Sequence, residues 1–142
     1  MSRNKGKAGE REAAALLSDL LGLDIRRRVR QHDGDSDLEG LPGWCLEIKR
    51  HASASRADIA GWWLQACAQA EAVGTVPALL FRRDRDQWRA VWPLALHVGA
   101  APAGAWLGYG LTVEGTPEAF AAVVRERIGQ DTSTQHTHIH TT

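Results

Sequence analysis

Three acids and one lysine pose the chemical question in this chain: Glu10, Asp37, Glu47 and Lys49. Glu47-Ile48-Lys49 closes a run from Trp44 whose alternation of apolar and polar residues reads as a strand. Residues i and i+2 of a strand share a face, about 7 Å apart. Glu47 and Lys49 therefore point one way, while Trp44, Leu46 and Ile48 point the other way, into a core. Asp37 opens a second short strand just upstream, joined to the first through a Pro42-Gly43 turn. If the two strands pair, Asp37 comes near Glu47 and two carboxylates stand beside one ammonium. Such neighbours repel unless a cation lies between them, and hard oxygen ligands suit magnesium or manganese. Taken alone, Glu-x-Lys on a half-exposed strand is more often a solvated face.

The elements that would position these groups can be read from periodicity. Residues 8–21 form a helix that buries Leu16, Leu17, Leu20 and Leu21 and ends at Gly22. At about 100° per residue, Glu10 falls about 50° from the centre of that buried face. A carboxylate there needs a partner, although a place in the first helical turn would also stabilise it. Glu12 lies more than about 100° away and reads as a solvent-facing acid. Leu23 to Arg30 is the first strand candidate, followed by the polar loop 31–36, in which His32, Asp33 and Asp35 are read as loop residues. The spacing of those acids and the missing terminal glutamate do not fit an EF-hand.

Ser55-Arg56-Ala57-Asp58 is a capping box opening a second helix, with Ile59, Trp62, Trp63, Ala66, Cys67, Ala70 and Val73 as its core stripe and Gly74 as its end. Gln65 and Gln69 share a flank that is either exposed or, for Gln65, turned to the acidic site. Val76–Phe81 reads as a strand covered on both faces, with Trp88–Leu94 as its partner. Leu111-Thr112-Val113 could add a short strand. Thr116-Pro117-Glu118 starts a last helix, which runs to Ile128 and stops at Gly129.

The 142 residues fit one domain over 1–129, with a mobile basic arm at 1–8 and a disordered polar tail at 130–142 that carries His136, His138 and His140. No apolar run is long enough to span a bilayer and no signal-type segment follows the N-terminus, so the expected location is cytoplasmic, with no membrane partner. Cys45 and Cys67 make neither a zinc site nor a disulfide framework. Seventeen basic and seventeen acidic residues cancel. The distribution is less even: Arg26, Arg27, Arg28 and Arg30 cluster, as do Arg82, Arg83, Arg85 and Arg89. All the basic residues except Lys5, Lys7 and Lys49 are arginine, the side chain suited to forked phosphate contacts. A compositional bias toward arginine on a soluble surface would look the same.

The element order, with Glu10 in the first helix, Asp37 opening the second strand and Glu47-Ile48-Lys49 in the third, resembles the PD-(D/E)xK nuclease superfamily. Lys5-Gly6-Lys7-Ala8-Gly9-Glu10-Arg11-Glu12 looks like the opening of the archaeal-type Holliday-junction resolvases and their phage-encoded relatives. The resemblance covers about residues 4–94, with Ser36 where a proline often precedes the motif aspartate, and Gln65-x-x-x-Gln69 where exonuclease relatives carry Gln-x-x-x-Tyr. It implies an α/β fold of restriction-endonuclease type, a central mixed sheet flanked by helices in αβββαββ order. It further implies a magnesium-dependent endodeoxyribonuclease, manganese substituting, with no small-molecule cofactor. Asp37, Glu47 and the Ile48 carbonyl would hold one or two ions, Glu10 would complete the shell directly or through water, and Lys49 would orient water or stabilise the transition state. A four-way junction would be cut by paired symmetric nicks from a homodimer, with Lys5, Lys7, Arg28, Arg30, Arg50 and Gln65 on the DNA. Other repair or restriction nucleases of the superfamily, and a non-catalytic DNA-structure-binding module, are the alternatives.

Overall fold

The strand that carries Glu47 and Lys49 lies at the edge of the main sheet. In the computed structural model, which describes residues 3–29, 36–98 and 108–140, with side chains over 6–29, 36–98 and 108–130, this strand is β3 (Trp44–His51). It pairs in parallel with β4 (Val76–Arg83), which pairs antiparallel with β5 (Arg89–Pro93), and β5 with β6 (Thr112–Gly115). Parallel neighbours need a crossover, and α2 (Arg56–Val73) supplies it. The order β3-β4-β5-β6 makes a mixed four-stranded sheet.

Both faces of that sheet are covered, as the continuous apolar run in β4 requires. Trp44, Leu46, Ile48, Leu80, Ala90 and Trp92 point to α1 (Arg3–Leu21) and α3 (Pro117–His140), around Ala13, Leu17, Phe120 and Val124. Leu79, Phe81 and Val91 point to the opposite face and meet Ile59, Trp63 and Cys67 of α2. Since β3 alternates, Cys45, Glu47, Lys49 and His51 fall on the α2 side. Ser55 caps α2 with the expected reciprocal bonds to Asp58, and Gly74 ends it in the left-handed conformation. The core stripe of α2 is narrower than its sequence suggests: Val73 is 54% exposed and Trp62 is half-buried at the margin.

Four boundaries differ from the sequence reading. The first strand contracts to β1 (Arg26–Arg27), because Ser18 Oγ takes both the N–H and the C=O of Ile25, and Val29 is 78% exposed. β2 is only Leu38–Glu39, antiparallel to β1. Residues 3–8, expected as an arm on the strength of their glycines, are the first turns of α1. Gly6 and Gly9 lower helix propensity, but Gly9 is buried where the Arg50 side chain crosses α1, and a Cβ there would lie 3.0 Å from Arg50 Cβ. The backbone of α3 continues past Gly129 to His140, since a lone glycine costs a helix only about 1 kcal/mol and no proline follows.

Two turn glycines separate backbone strain from steric fit. Gly43 sits at φ +85° in the Pro42-Gly43 turn, with open space where a Cβ would go. Gly40 sits at φ +102°, where a Cβ would fall 2.2 Å from the Asp24 carbonyl oxygen. Gly43→Ala should therefore cost about 1–2 kcal/mol of left-handed strain. Gly40→Ala adds a backbone clash and should cost about 3 kcal/mol or more. Urea unfolding of the two variants checks the order, and equal losses would contradict it.

Candidate active site

Asp37 joins the small hairpin to the main sheet. Its N–H donates to Leu46 O at 2.9 Å, and its carbonyl accepts Arg28 N–H at 3.0 Å. Its carboxylate Oδ2 accepts the Ile48 N–H at 2.7 Å. Ser36 Oγ accepts the Leu46 N–H at 2.8 Å and lies 2.7 Å from Leu38 O. A proline at that position could accept no such bond, so Ser36 tethers this segment to β3 through its side chain. These bonds bring Asp37 beside Glu47.

Both acids are buried, Asp37 9% and Glu47 3% exposed. Burial raises the Asp37 pKa to about 7, with the Glu47 charge adding to the effect against the Ile48 N–H and Lys49. Glu47 is also pushed up by burial and by Glu10, and held down by Lys49 and the Gln69 side chain. Lys49 Nζ stands 3.3 Å from Glu47 Oε1. The other oxygen, Glu47 Oε2, is buried without a hydrogen-bond partner. Gly6, Glu10, Asp37, Glu47, Ile48, Lys49, Arg50, His51 and Gln65 enclose an open cavity of about 350 Å³ over this pair.

The remaining acids are placed differently from their sequence reading. Glu10 reaches the cavity, but its Oε2 accepts from Arg27 Nε at 2.9 Å. Glu12 is no solvent-facing acid. It accepts from Trp88 Nε1 at 2.7 Å, lies 3.5 Å from Arg50 and pairs closely with Arg82. The helical wheel missed this because the ends of β3, β4 and β5 extend past the buried face of α1; the signal was a tryptophan and two arginines needing an acceptor.

The proposed DNA contacts divide. Lys7 is exposed in α1, and Gln65 lines the cavity, while Gln69 is the glutamine that acts on Glu47. Arg28 is held by Ser36 O at 3.0 Å and lies 3.6 Å from Glu39; Arg50 lies between Glu12 and Asp84. These two arginines are internal ion-pair partners, because the folded hairpin and sheet edge place acids within their reach. The Lys5 side chain, Arg30, and the loop residues His32, Asp33 and Asp35 lie outside the described residues. His51, which the sequence reading passed over, lines the cavity two residues beyond Lys49 on the same strand face.

Among the described residues, no three imidazole, thiolate or carboxylate groups stand close enough to enclose a metal ion by themselves. Two adjoining carboxylates with one unsatisfied oxygen, open to a polar cavity, still fit a hard divalent cation, because magnesium commonly takes one or two protein carboxylates and fills its other positions with water and phosphate. Among those residues no helix is long and apolar enough to cross a membrane.

Comparison with known proteins gives the chain a family. A family model described as "Phage putative PDDEXK endonuclease" matches residues 1–101. "Protein D14" of Escherichia phage T5 is 28% identical over 109 residues, covering 61% of this chain and 68% of that one. Among solved structures, Hjc of Archaeoglobus fulgidus, a Holliday junction resolvase, is similar with a TM-score of 0.43 and 18% identity, over 61% of this chain and 70% of that one.

The raised Asp37 pKa sets a sign for metal-free stability. The unfolded chain releases this proton at about 3.8 and the folded chain at about 7. Between those values the folded state holds the extra proton, so this contribution to stability falls as pH rises and is gone above about 7. Asp37→Asn removes the charge and keeps an oxygen for the Ile48 N–H. In chelator, it should melt above the wild type at about pH 8, with the gap closing toward about pH 4. Melting curves across that range check it; a variant less stable at the alkaline end would contradict the account.

Proposed function

Because the chain belongs to the phage PDDEXK endonuclease family, we propose that it is a divalent-metal-dependent DNA endonuclease acting on branched DNA, cutting four-way junctions by paired symmetric nicks. The observation that carries the metal-dependent chemistry is the buried Asp37–Glu47 pair, with Glu47 Oε2 unsatisfied and Lys49 at its side. Asp37, Glu47 and the backbone of Ile48 would hold the ion, with Glu10 acting through water since Arg27 occupies its carboxylate. When bound, magnesium or manganese supplies a Lewis acid that acidifies water and offsets charge on the phosphate.

The protein's own groups do the rest. The Ile48 N–H fixes the Asp37 carboxylate, so the two acids do not swing apart when their charges repel. Glu47 holds the Lys49 ammonium at the cavity, where it can donate to the attacking water or to a phosphate oxygen whose charge grows in the transition state. Gln65, which lines the cavity, and Lys7, exposed on α1 next to the lining Gly6, would contact the DNA backbone. The choice of a branched substrate rests on the Lys5–Glu12 opening, which resembles the junction resolvases, and on the two-fold symmetry of a junction, which suits a symmetric dimer. A phage nuclease of this kind would act in the host cytoplasm.

Matched four-way-junction, flap and linear duplex substrates with magnesium test this, beside Asp37→Asn and Lys49→Ala. Paired symmetric nicks in the junction, lost with chelator and reduced by several orders of magnitude in both variants, are expected. Equal cutting of linear duplex would keep the site and discard the junction. Binding without cutting in either metal would refute the catalytic reading.

A further inference from the structure

The turn between β4 and β5 is built almost wholly from charged residues, and all but one of them are used to build it. Asp84 N–H donates to His51 O at 2.9 Å, which ties the turn to the end of β3, and Asp84 Oδ1 lies 3.8 Å from Arg50 of the cavity wall. Asp86 N–H closes the turn on Arg83 O at 3.1 Å, Arg82 Nε donates to Asp86 O at 3.0 Å, and Gln87 N–H donates to Asp86 Oδ1 at 2.8 Å. Arg83 donates to Ala54 O at 2.8 and 3.1 Å and lies 3.9 Å from Asp86. The exception is Arg85. Its side chain is exposed at the tip of the turn and makes neither an ion pair nor a hydrogen bond among the described residues. It is also the one residue other than glycine among them with a positive φ, +63°. That conformation favours glycine or asparagine, so arginine is a strained choice unless its side chain has a use outside the turn.

We propose that Arg85 is a DNA-backbone contact: from the tip of this turn its guanidinium takes a phosphate of the duplex arm that runs out of the cavity past the end of β3. The proposal rests on the nuclease reading for the nature of the ligand. Charge supports it. At this end of the sheet Arg50, Arg82, Arg83 and Arg85 meet Glu12, Asp84 and Asp86, and the pairs formed leave the Arg85 charge without an acid. Distance supports it too. Lys49 stands opposite Phe81 in the β3–β4 register, and Arg85 follows Phe81 by four residues. Strand rise therefore sets it on the order of 10 Å beyond Lys49, about three base steps of a duplex. A guanidinium carries forked donors that match phosphate oxygens. Because its neighbours lock the turn, little backbone order remains to be lost on binding.

The test titrates the full-length wild type, Arg85→Asn and Arg85→Lys onto a four-way junction and a linear duplex in chelator, from about 50 to about 200 mM salt. Asparagine accepts the left-handed backbone, so Arg85→Asn removes the charge and keeps the turn, and it should melt no lower than the wild type. Its affinity should fall about fivefold to tenfold at about 100 mM salt, alike on every sequence. The slope of log K against log salt should shrink by about 0.9, the share of one phosphate. Arg85→Lys should keep most of the affinity and the slope. With magnesium, KM for Arg85→Asn should rise by a similar factor while kcat stays as it was. Wild-type affinity and slope in Arg85→Asn would overturn the proposal. An affinity loss with an unchanged slope would overturn it too, making Arg85 a base contact. Junction cutting by the wild type beside either result would leave the nuclease reading standing without this contact. DNA binding with no cutting in magnesium or manganese would do the reverse: the nuclease reading would fail, and the metal-free slopes would still decide the role of Arg85.

Discussion

One residue ties the site together. Asp37 uses its N–H, its carbonyl and its carboxylate, each on a different partner: Leu46, Arg28 and Ile48. The first two weave β1, β2 and β3 at a single position, and the third locks the acid against the strand that carries Glu47. Two buried carboxylates side by side are unfavourable, as the rise of both pKa values indicates. No local preference would assemble them. The apolar layers on both sheet faces, built on Trp44, Leu46 and Ile48 on one side and Trp63, Leu79 and Phe81 on the other, hold the strand that must tolerate them.

The arginines show where charge goes in such a structure. Arg27 is set on Glu10, Arg50 and Arg82 on Glu12, Arg89 on Glu114, and Arg26 on Asp24. Among the described residues much of the balance between acids and bases is thus internal pairing, and equal numbers of the two leave little long-range field. Glu12 is the clearest case. By accepting from a strand-end tryptophan as well as from Arg82, with Arg50 beside it, it fixes the pitch of α1 against β3, β4 and β5. That pitch sets where Glu10 and Gly6 meet the cavity.

The features legible in the sequence were those written locally. The capping box at Ser55, the αL stop at Gly74, the Pro42-Gly43 turn and the alternation along β3 each involve a few consecutive residues, and each is present. The acids of the site were legible as types and spacing, because a charged pair inside an apolar strand is itself unusual. What was not legible depends on tertiary packing. Glu12 was misread because a helical wheel knows nothing of the strands beyond the helix. Arg28 and Arg50 read as free cations because their acids come from elsewhere in the chain: Glu39 for Arg28, and Glu12 and Asp84 for Arg50. His51 was passed over for a similar reason, since its stacking on Trp62 joins β3 to α2, and the sequence reads Trp62 as a core or dimer contact.

The position of the site follows from the edge. An unpaired strand edge is a liability in most sheets and is normally covered or charged. Here β3 is the edge of the four-stranded sheet, and Ser36 and Asp37 cover it at Leu46 and Ile48. Between and beyond those two residues the strand carries Glu47, Lys49 and His51, facing a cavity closed by α1 on one side and α2 on the other. A central strand could hold the same residues but would have a neighbouring strand where the cavity now opens. An open cavity needs an edge, and a carboxylate pair needs burial. The partial cover by a two-residue hairpin is the arrangement that gives both.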